Sequence, residues 1–459
     1  MSVVVVGGGI SGLAAAWTLA ERLPGAAVLV LESGREIGGK LRVGEIAGVP
    51  VDLGAEAMLA RRPEAVDLAR AAGLELISPL STAAQVRAGG ALHPLPARTM
   101  MGIPSDADAL RASGAVSAAA SERIAAEPDL EPLEPITEDV AVGALTRARL
   151  GNEITDRLVE PLLGGVYAGR ADELSLHASM PALFARLGSG GSLVRAAQAV
   201  VGAGTRAPST DPVFASLPGG IGRLPLALAA SGRFAVRTDT TVRLIDRTAH
   251  GFRLTLGPVP EPEYLEVDAV VVATPAAKAA RLLRTAAPSA AAELAGIEYA
   301  SMAIATLAYR DVTLPEGSGV LVAAHERLAV KAVTLSSQKW PMPTGSLSVL
   351  RASIGRHGEA EALQRQDGDL LAVVRRDLAA LLGITAEPVD ALLTRWGGGL
   401  PQYAVGHVER VARIRAAVEQ VPGLAVCGAA YDGVGIPACI GSARRAADHV
   451  ANALSQRGE

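Results

Sequence analysis

Three glycines in the segment Gly7-Gly8-Gly9-Ile10-Ser11-Gly12 stand at the spacing G-x-G-x-x-G. That spacing suits one chemistry, the seating of a dinucleotide pyrophosphate against bare backbone. The first glycine permits a tight turn, the second lets the phosphates approach the main chain, and the third lets helix and strand pack closely. Phosphate oxygens then meet free N–H groups at a helix start, where the dipole favours negative charge. Glu32, followed by Ser33, stands twenty residues beyond Gly12, where a carboxylate accepts bonds from ribose hydroxyls. Alone, such a glycine run also fits an unrelated turn, so the neighbouring elements decide.

Those elements are legible. Val3–Val6 is a β-branched run suited to a parallel strand buried on both faces. Leu13, Trp17 and Ala20 share a helical face, Pro24-Gly25 ends that helix, and Val28–Leu31 forms a second buried strand. The unit is βαβ. Next comes Arg35-Glu36-Ile37-Gly38-Gly39-Lys40, which resembles the R-x-x-G-G-[KR] element of flavoproteins with two dinucleotide folds. The resemblance implies FAD rather than a nicotinamide cofactor, with Gly38 and Gly39 against it and Arg35 and Lys40 as cations near the diphosphate. In the same class a segment like Asp52-Leu53-Gly54-Ala55-Glu56-Ala57 brings backbone to the flavin end. Asp52 reads as a turn cap; Glu56 is open to either a structural or a site role.

Composition excludes several other classes. At 459 residues the chain is expected to divide into two or three domains. A net charge of −4 and a pI near 6.1 give no electrostatic case for nucleic acid. Cys427, Cys439 and seven scattered histidines show no metal-ligand spacing, so neither a metal nor a disulfide is expected. The longest apolar stretch, Leu13 to Leu31, is broken by Glu21, Arg22 and Pro24, too soon for a membrane span. A cytoplasmic protein is expected, with peripheral membrane contact left open.

The C-terminal stretch Val426-Cys427-Gly428-Ala429-Ala430-Tyr431-Asp432-Gly433-Val434-Gly435-Ile436-Pro437-Ala438-Cys439-Ile440 resembles the closing FAD motif of the oxygen-dependent protoporphyrinogen and coproporphyrinogen oxidases. Trp396 with Pro401–His407, the segment Leu158–Gly169, and Ala269–Pro275 resemble further pieces of that family. The resemblance implies that the backbone of Val242 meets the adenine side, that Trp396 packs near the isoalloxazine, and that Val434, Gly435 and Ile436 flank it. His407 reads as structural rather than as a base.

Forms without a targeting peptide resemble the Gram-positive coproporphyrinogen III oxidases of haem biosynthesis. Those remove six electrons from the macrocycle and pass them to dioxygen, giving hydrogen peroxide. Protoporphyrinogen IX remains the alternative substrate. A flavin amine oxidase or carotenoid desaturase, and a flavoprotein that only carries tetrapyrrole, are the rival readings. A bridge carbon that gives up hydride to the flavin while pyrroles stabilise the cation needs no strong base, so no catalytic side chain is assigned. Candidates around the substrate are Tyr167, Gly169, Arg98 and Lys331, and among further cations Arg61, Arg62, Arg87, Arg170 and Arg351. The pocket is expected to be deep and apolar, with charges at its rim for the propionates.

The expected fold is α/β, α+β overall. A Rossmann-type FAD-binding domain takes residues 1–78, 212–275 and 396–459, and a mixed-sheet substrate domain takes 79–95 and 276–395. An inserted helical domain takes 96–211, with Glu127–Pro135 as an extended surface connection and a helix through Val142–Leu158 closed by Pro161.

Overall fold

The computed structural model describes residues 1–203 and 212–456, so the end of the expected helical insertion, 204–211, lies outside the described residues. Strand Ser2–Val6 is the centre of a five-stranded sheet ordered Ala235–Arg237, Ala27–Leu31, Ser2–Val6, Ala269–Val272, Leu424–Val426. All four pairings are parallel, with Val3 opposite Val28 on one side and Ala269 on the other. Val3, Val4, Val5 and Val6 are buried, as a parallel strand between two helical layers requires. One layer pairs helix Ile10–Arg22 with helix Ile436–Ser455 through a core including Leu13, Leu19, Ile440 and Val450. The other face is covered by helices Ala276–Leu283, Pro288–Ala295 and His407–Glu419, and by the antiparallel meander Val242–Arg247, Phe252–Leu256, Glu263–Val267.

A second sheet has seven strands in the order Asp390–Pro401, Tyr299–Arg310, Leu347–Ile354, Val330–Thr334, Gly319–Val322, Ala84–Ala88, Ala91–Pro94. One neighbouring pair, Gly319–Val322 with Ala84–Ala88, is parallel; the others are antiparallel. Helix Asp367–Leu382 covers one face through Leu370, Val374, Leu378 and Leu381. The helices between Ala107 and Ala203 enclose a core of their own that includes Leu110, Ile124, Leu158, Leu163 and Leu183.

The structure departs from the sequence expectations at five places. Ala235–Leu244 is two strands in two sheets, because Asp239 turns the chain at φ 49°. The helices from Ala276 to Ala295 pack under the parallel sheet, and Asp390–Pro401 continues the seven-stranded sheet through Trp396. The helices begin at the expected boundary at 276, and the strand runs through the one at 396. Pro161 does not close a helix: Gly151 at φ 94° breaks it first, and a π-helical turn over Thr155–Val159 leads into helix Glu160–Tyr167. The backbone is helical from Ile154 into Glu160, so Pro161 sits within that run, directly after the π-helical turn that loosens the bonding its missing N–H would disrupt. Finally, Glu127 is no surface residue. It is fully buried, bonded by Arg149 at 2.6 Å, and accepts from the N–H groups of Leu193 and Val194 at 2.9 and 3.1 Å. It caps the helix Leu193–Ala203, which begins 66 residues later.

Candidate active site

An elongated cavity of about 1020 Å³ runs between the two sheets, at the upper end of what ligand sites span. The glycine run forms one wall. The Gly38 N–H donates to the Gly8 carbonyl at 2.7 Å, and a Cβ on Gly39 would stand 3.2 Å from the Gly9 Cα. These two glycine segments thus present bare backbone side by side. Gly7, Gly9, Ile10 and Ser11 line the cavity here, with Gly38, Gly39 and Lys40 opposite. Gly8 and Gly12 stand behind that wall. A Cβ on Gly12 would run into the Gly7 carbonyl, so this glycine serves helix–strand packing, as its position in the run implies.

Glu32 and Ser33 line the far end. The Glu32 carboxylate accepts the Gly8 N–H and the Gly34 N–H, both at 2.7 Å, so it orders the phosphate turn as well as facing the cavity. Val242 lies near it, together with Thr240, Thr241, Arg243, Lys278 and Arg281, none of which a motif singles out. Arg35 is elsewhere: its side chain is 91% exposed, 4.0 Å from Asp239. The loop turns it to solvent, while Lys40 lines the cavity. Burial lowers the Lys40 ammonium from its usual range, and Lys278 nearby adds to that effect.

At the other end Gly54, Ala55, Glu56 and Ala57 line the cavity beside Trp396, Val434, Gly435 and Ile436. The Trp396 indole donates to the Leu53 carbonyl at 2.9 Å, and the Ala55 N–H donates to the Lys40 carbonyl at 3.2 Å. Asp52 caps the turn before helix Arg223–Ala230, accepting from Ile221 and Gly222 at 3.0 and 3.1 Å. Burial raises its carboxyl to about 6 against those bonds. Glu56 takes a bond from Lys339 at 2.6 Å and one from Arg351 at 2.7 Å. Burial would raise its carboxyl, but the two cations outweigh that and hold it at about 2.

The seven-stranded sheet contributes Tyr299, Met302, Ile304, Lys331, Ala332, Thr334, Arg351 and Ser353, and the helical unit adds Gly165 and Val166. Of the substrate candidates, Lys331 faces this chamber. Tyr167 instead packs its ring 5.5 Å from that of Tyr403, behind the wall, and Gly169 is pressed against Gln402 and Leu174. Arg98 is exposed and pairs with Asp106 at 3.5 Å. Arg62, Arg87 and Arg170 are paired with Glu64, Glu326 and Glu359, and Arg61 is exposed. His407 is buried, stacked on Tyr403 at 4.2 Å, with burial lowering it to about 4.

The charges of this cavity do not balance. Lys40, Arg243, Lys278, Arg281 and Lys331 line it, and among the described residues none has an ion-pair partner. The carboxylates on its wall, Glu32 and Glu56, are both engaged by protein donors. Lys331 Nζ, Ser353 Oγ and Thr274 Oγ1 are buried without hydrogen-bond partners. A bare glycine cradle, a carboxylate at one end and unpaired cations between fit FAD, a dinucleotide with two phosphates.

A sequence profile of the flavin containing amine oxidoreductases matches residues 10–451. The chain belongs to that family. Within the family it is similar to a coproporphyrinogen III oxidase of Mycobacterium leprae, 40% identical over 97% of each chain. It is also similar to a protoporphyrinogen oxidase of Bos taurus, 31% identical over 98% of each. A solved structure from Exiguobacterium sp. superposes with a TM-score of 0.87 at 32% identity, covering 98% of both chains. As a member of this flavin containing family, the protein is an FAD-dependent oxidoreductase of mixed α/β fold. No helix among its described residues is long and apolar enough to cross a membrane.

Proposed function

We propose that this protein oxidises coproporphyrinogen III to coproporphyrin III, with dioxygen as acceptor and hydrogen peroxide as product. The observation that carries the reading is Lys331, a buried cation without a partner in the part of the cavity that Met302, Ile304, Ala332 and Leu400 wall with apolar groups. An apolar slot receives the macrocycle, and the cation in its wall receives one of the anionic groups around it. The relative in Mycobacterium leprae supports the same substrate.

Six electrons leave the macrocycle over three rounds, with three dioxygen molecules reduced to three hydrogen peroxide. Bound FAD supplies the two-electron acceptor and passes the electrons to dioxygen. The chain's own part is to place the ring and keep water away. Gly54–Ala57 and Gly435 form the floor at the flavin end, while Met302, Ile304, Ala332 and Leu400 are the apolar walls. Tyr299 accepts the Ala276 N–H at 2.8 Å and is raised by burial, and burial pushes the Cys439 thiol up to about 11. Neither is poised to take a proton near neutrality. Among the described residues only Tyr299 and Trp396 are aromatic in the cavity wall, which leaves little for the aromatic cage expected of an amine oxidase.

Fluorescence assays of porphyrin formation from coproporphyrinogen III and protoporphyrinogen IX test the assignment. One additional charge-assisted contact, worth about 1.5–3 kcal/mol, predicts at least about a tenfold preference in kcat/KM for the tetracarboxylate. Equal specificity, or a preference for protoporphyrinogen, overturns the substrate assignment and leaves the oxidoreductase intact. Coproporphyrin binding with no peroxide formed would instead make the protein a carrier.

A further inference from the structure

Lys331 departs from the regular pairing of its strand. Val330 stands opposite Ile354 and Ala332 opposite Ser353, so two steps on one strand match one on the other. Such a bulge re-aims side chains, and here both Lys331 and Ala332 line the cavity. Lys331 is 4% exposed and its Nζ has no partner. The hydroxyl of Ser353, on the adjoining strand and also facing the cavity, is buried without a partner too. A buried ammonium without an anion is unfavourable, and a protein keeps such a group where a ligand completes it.

We propose that Lys331 and Ser353 form an interior carboxylate site that takes a propionate of the substrate and selects a macrocycle with four propionates over one with two vinyl groups. The proposal rests on the porphyrinogen oxidase reading above. Its logic is geometric. Each pyrrole of coproporphyrinogen III carries a propionate, so whichever edge enters the chamber brings a carboxylate inside. Protoporphyrinogen IX can enter with its vinyl edge leading and leave both carboxylates at the mouth. An unpaired cation deep in the wall suits the first and opposes the second.

The surrounding charges agree. Arg356 and Glu359, in the loop after strand Leu347–Ile354, act on Lys331 from one side. Glu359 is held by Arg170 of the helical unit at 3.0 Å and lies 3.8 Å from Arg356. Arg351, on the adjoining strand, is committed to Glu56. Burial lowers the Lys331 ammonium to about 7, with Arg356 adding to this and Glu359 opposing it. A bound carboxylate raises it again, so ligand binding above neutrality takes up a proton.

The test uses the FAD-loaded enzyme and the variants Lys331→Met, Lys331→Arg and Ser353→Ala. Lys331→Met is expected to raise KM for coproporphyrinogen III by about tenfold or more, the loss of one charge-assisted contact. Its kcat should stay within about threefold, while KM for protoporphyrinogen IX should fall, because the cation that opposes the vinyl edge is gone. Lys331→Arg should recover most of the affinity, and Ser353→Ala should weaken it less and in the same direction. Calorimetry of coproporphyrin III binding at pH 8, in two buffers of different ionisation enthalpy, should show proton uptake that Lys331→Met abolishes.

An equal loss on both substrates, a fall confined to kcat, or no change in any variant overturns the proposal. If Lys331→Met no longer holds FAD, Lys331→Arg and Ser353→Ala carry the same comparison. Failure of the wild type to oxidise coproporphyrinogen III defeats the substrate reading instead.

Discussion

Arg351 meets the carboxylate of Glu56 at 2.7 Å across 295 residues of chain, and the same guanidinium bonds the Gly54 carbonyl. This pair fastens the loop at the flavin end to the seven-stranded sheet, so the two walls of the chamber keep a fixed spacing. Glu56→Gln would leave Lys339 and Arg351 with no anion in a buried place. Breaking one side of such a buried pair costs about 3–5 kcal/mol. The depressed carboxyl contributes stability that is complete above its unfolded value of about 4.5 and lost as pH falls toward about 2. The melting-temperature gap between wild type and Glu56→Gln should be widest near neutrality and should close over that acid window. A gap that does not change with pH would place the stabilisation elsewhere.

Gly9 and Gly12 should fail in different ways. A Cβ on Gly9 has room, 3.9 Å from the Gly39 Cα, but a valine there fills the space that the pyrophosphate needs. Gly9→Val should give a folded, colourless protein. Gly12→Ala drives a methyl into the Gly7 carbonyl and should give little folded protein at all. Flavin absorbance and circular dichroism of the two variants separate the cases, and a yellow Gly9→Val protein would remove the phosphates from this turn.

Glu32→Ala removes the acceptor of two backbone N–H groups and the carboxylate for the ribose. Charge-assisted bonds of this kind are worth about 1.5–3 kcal/mol each, so affinity of the apoprotein for FAD should fall at least about tenfold. Titration with FAD followed by flavin fluorescence measures it. Unchanged affinity would leave Glu32 with a purely structural task.

Glu127→Ala should destabilise the helical unit by about 3–5 kcal/mol, because Arg149 loses its buried partner and the helix from Leu193 loses its cap. Limited proteolysis should then cut within 107–203 while the flavin spectrum persists. Resistance equal to that of the wild type would contradict this account of Glu127.

The same residue shows where reading the sequence runs out. Glu127 lies in a proline-rich acidic run, and composition makes such a run a solvated connection; its partners Arg149 and Leu193 are too distant for any local pattern to reveal. Gly7 to Gly12 is legible for the opposite reason, since turn, helix start and strand packing are all local demands on consecutive residues. Lys331 falls between the two. A lone lysine in an apolar strand is visible, but only the bulge against Ser353 and Ile354 shows which way it faces. Arg35 shows a further limit, since a motif specifies loop shape, and loop shape alone does not aim a long flexible side chain.

The parallel sheet has a consequence for how the protein is made. Its edge strand Leu424–Val426, and the helix Ile436–Ser455 that packs on Ile10–Arg22, are made about 400 residues after the elements they complete. Until then Leu13 and Leu19 of the first helix lack part of their cover. A cavity lined by both Gly7 and Ile436 is therefore complete only once the chain through Ile436 has been made. Nascent chains carry an apolar helix that waits through more than 400 residues of translation for its partner. Stop codons shortly before Leu424 should then yield aggregated, flavin-free chains rather than a shortened enzyme.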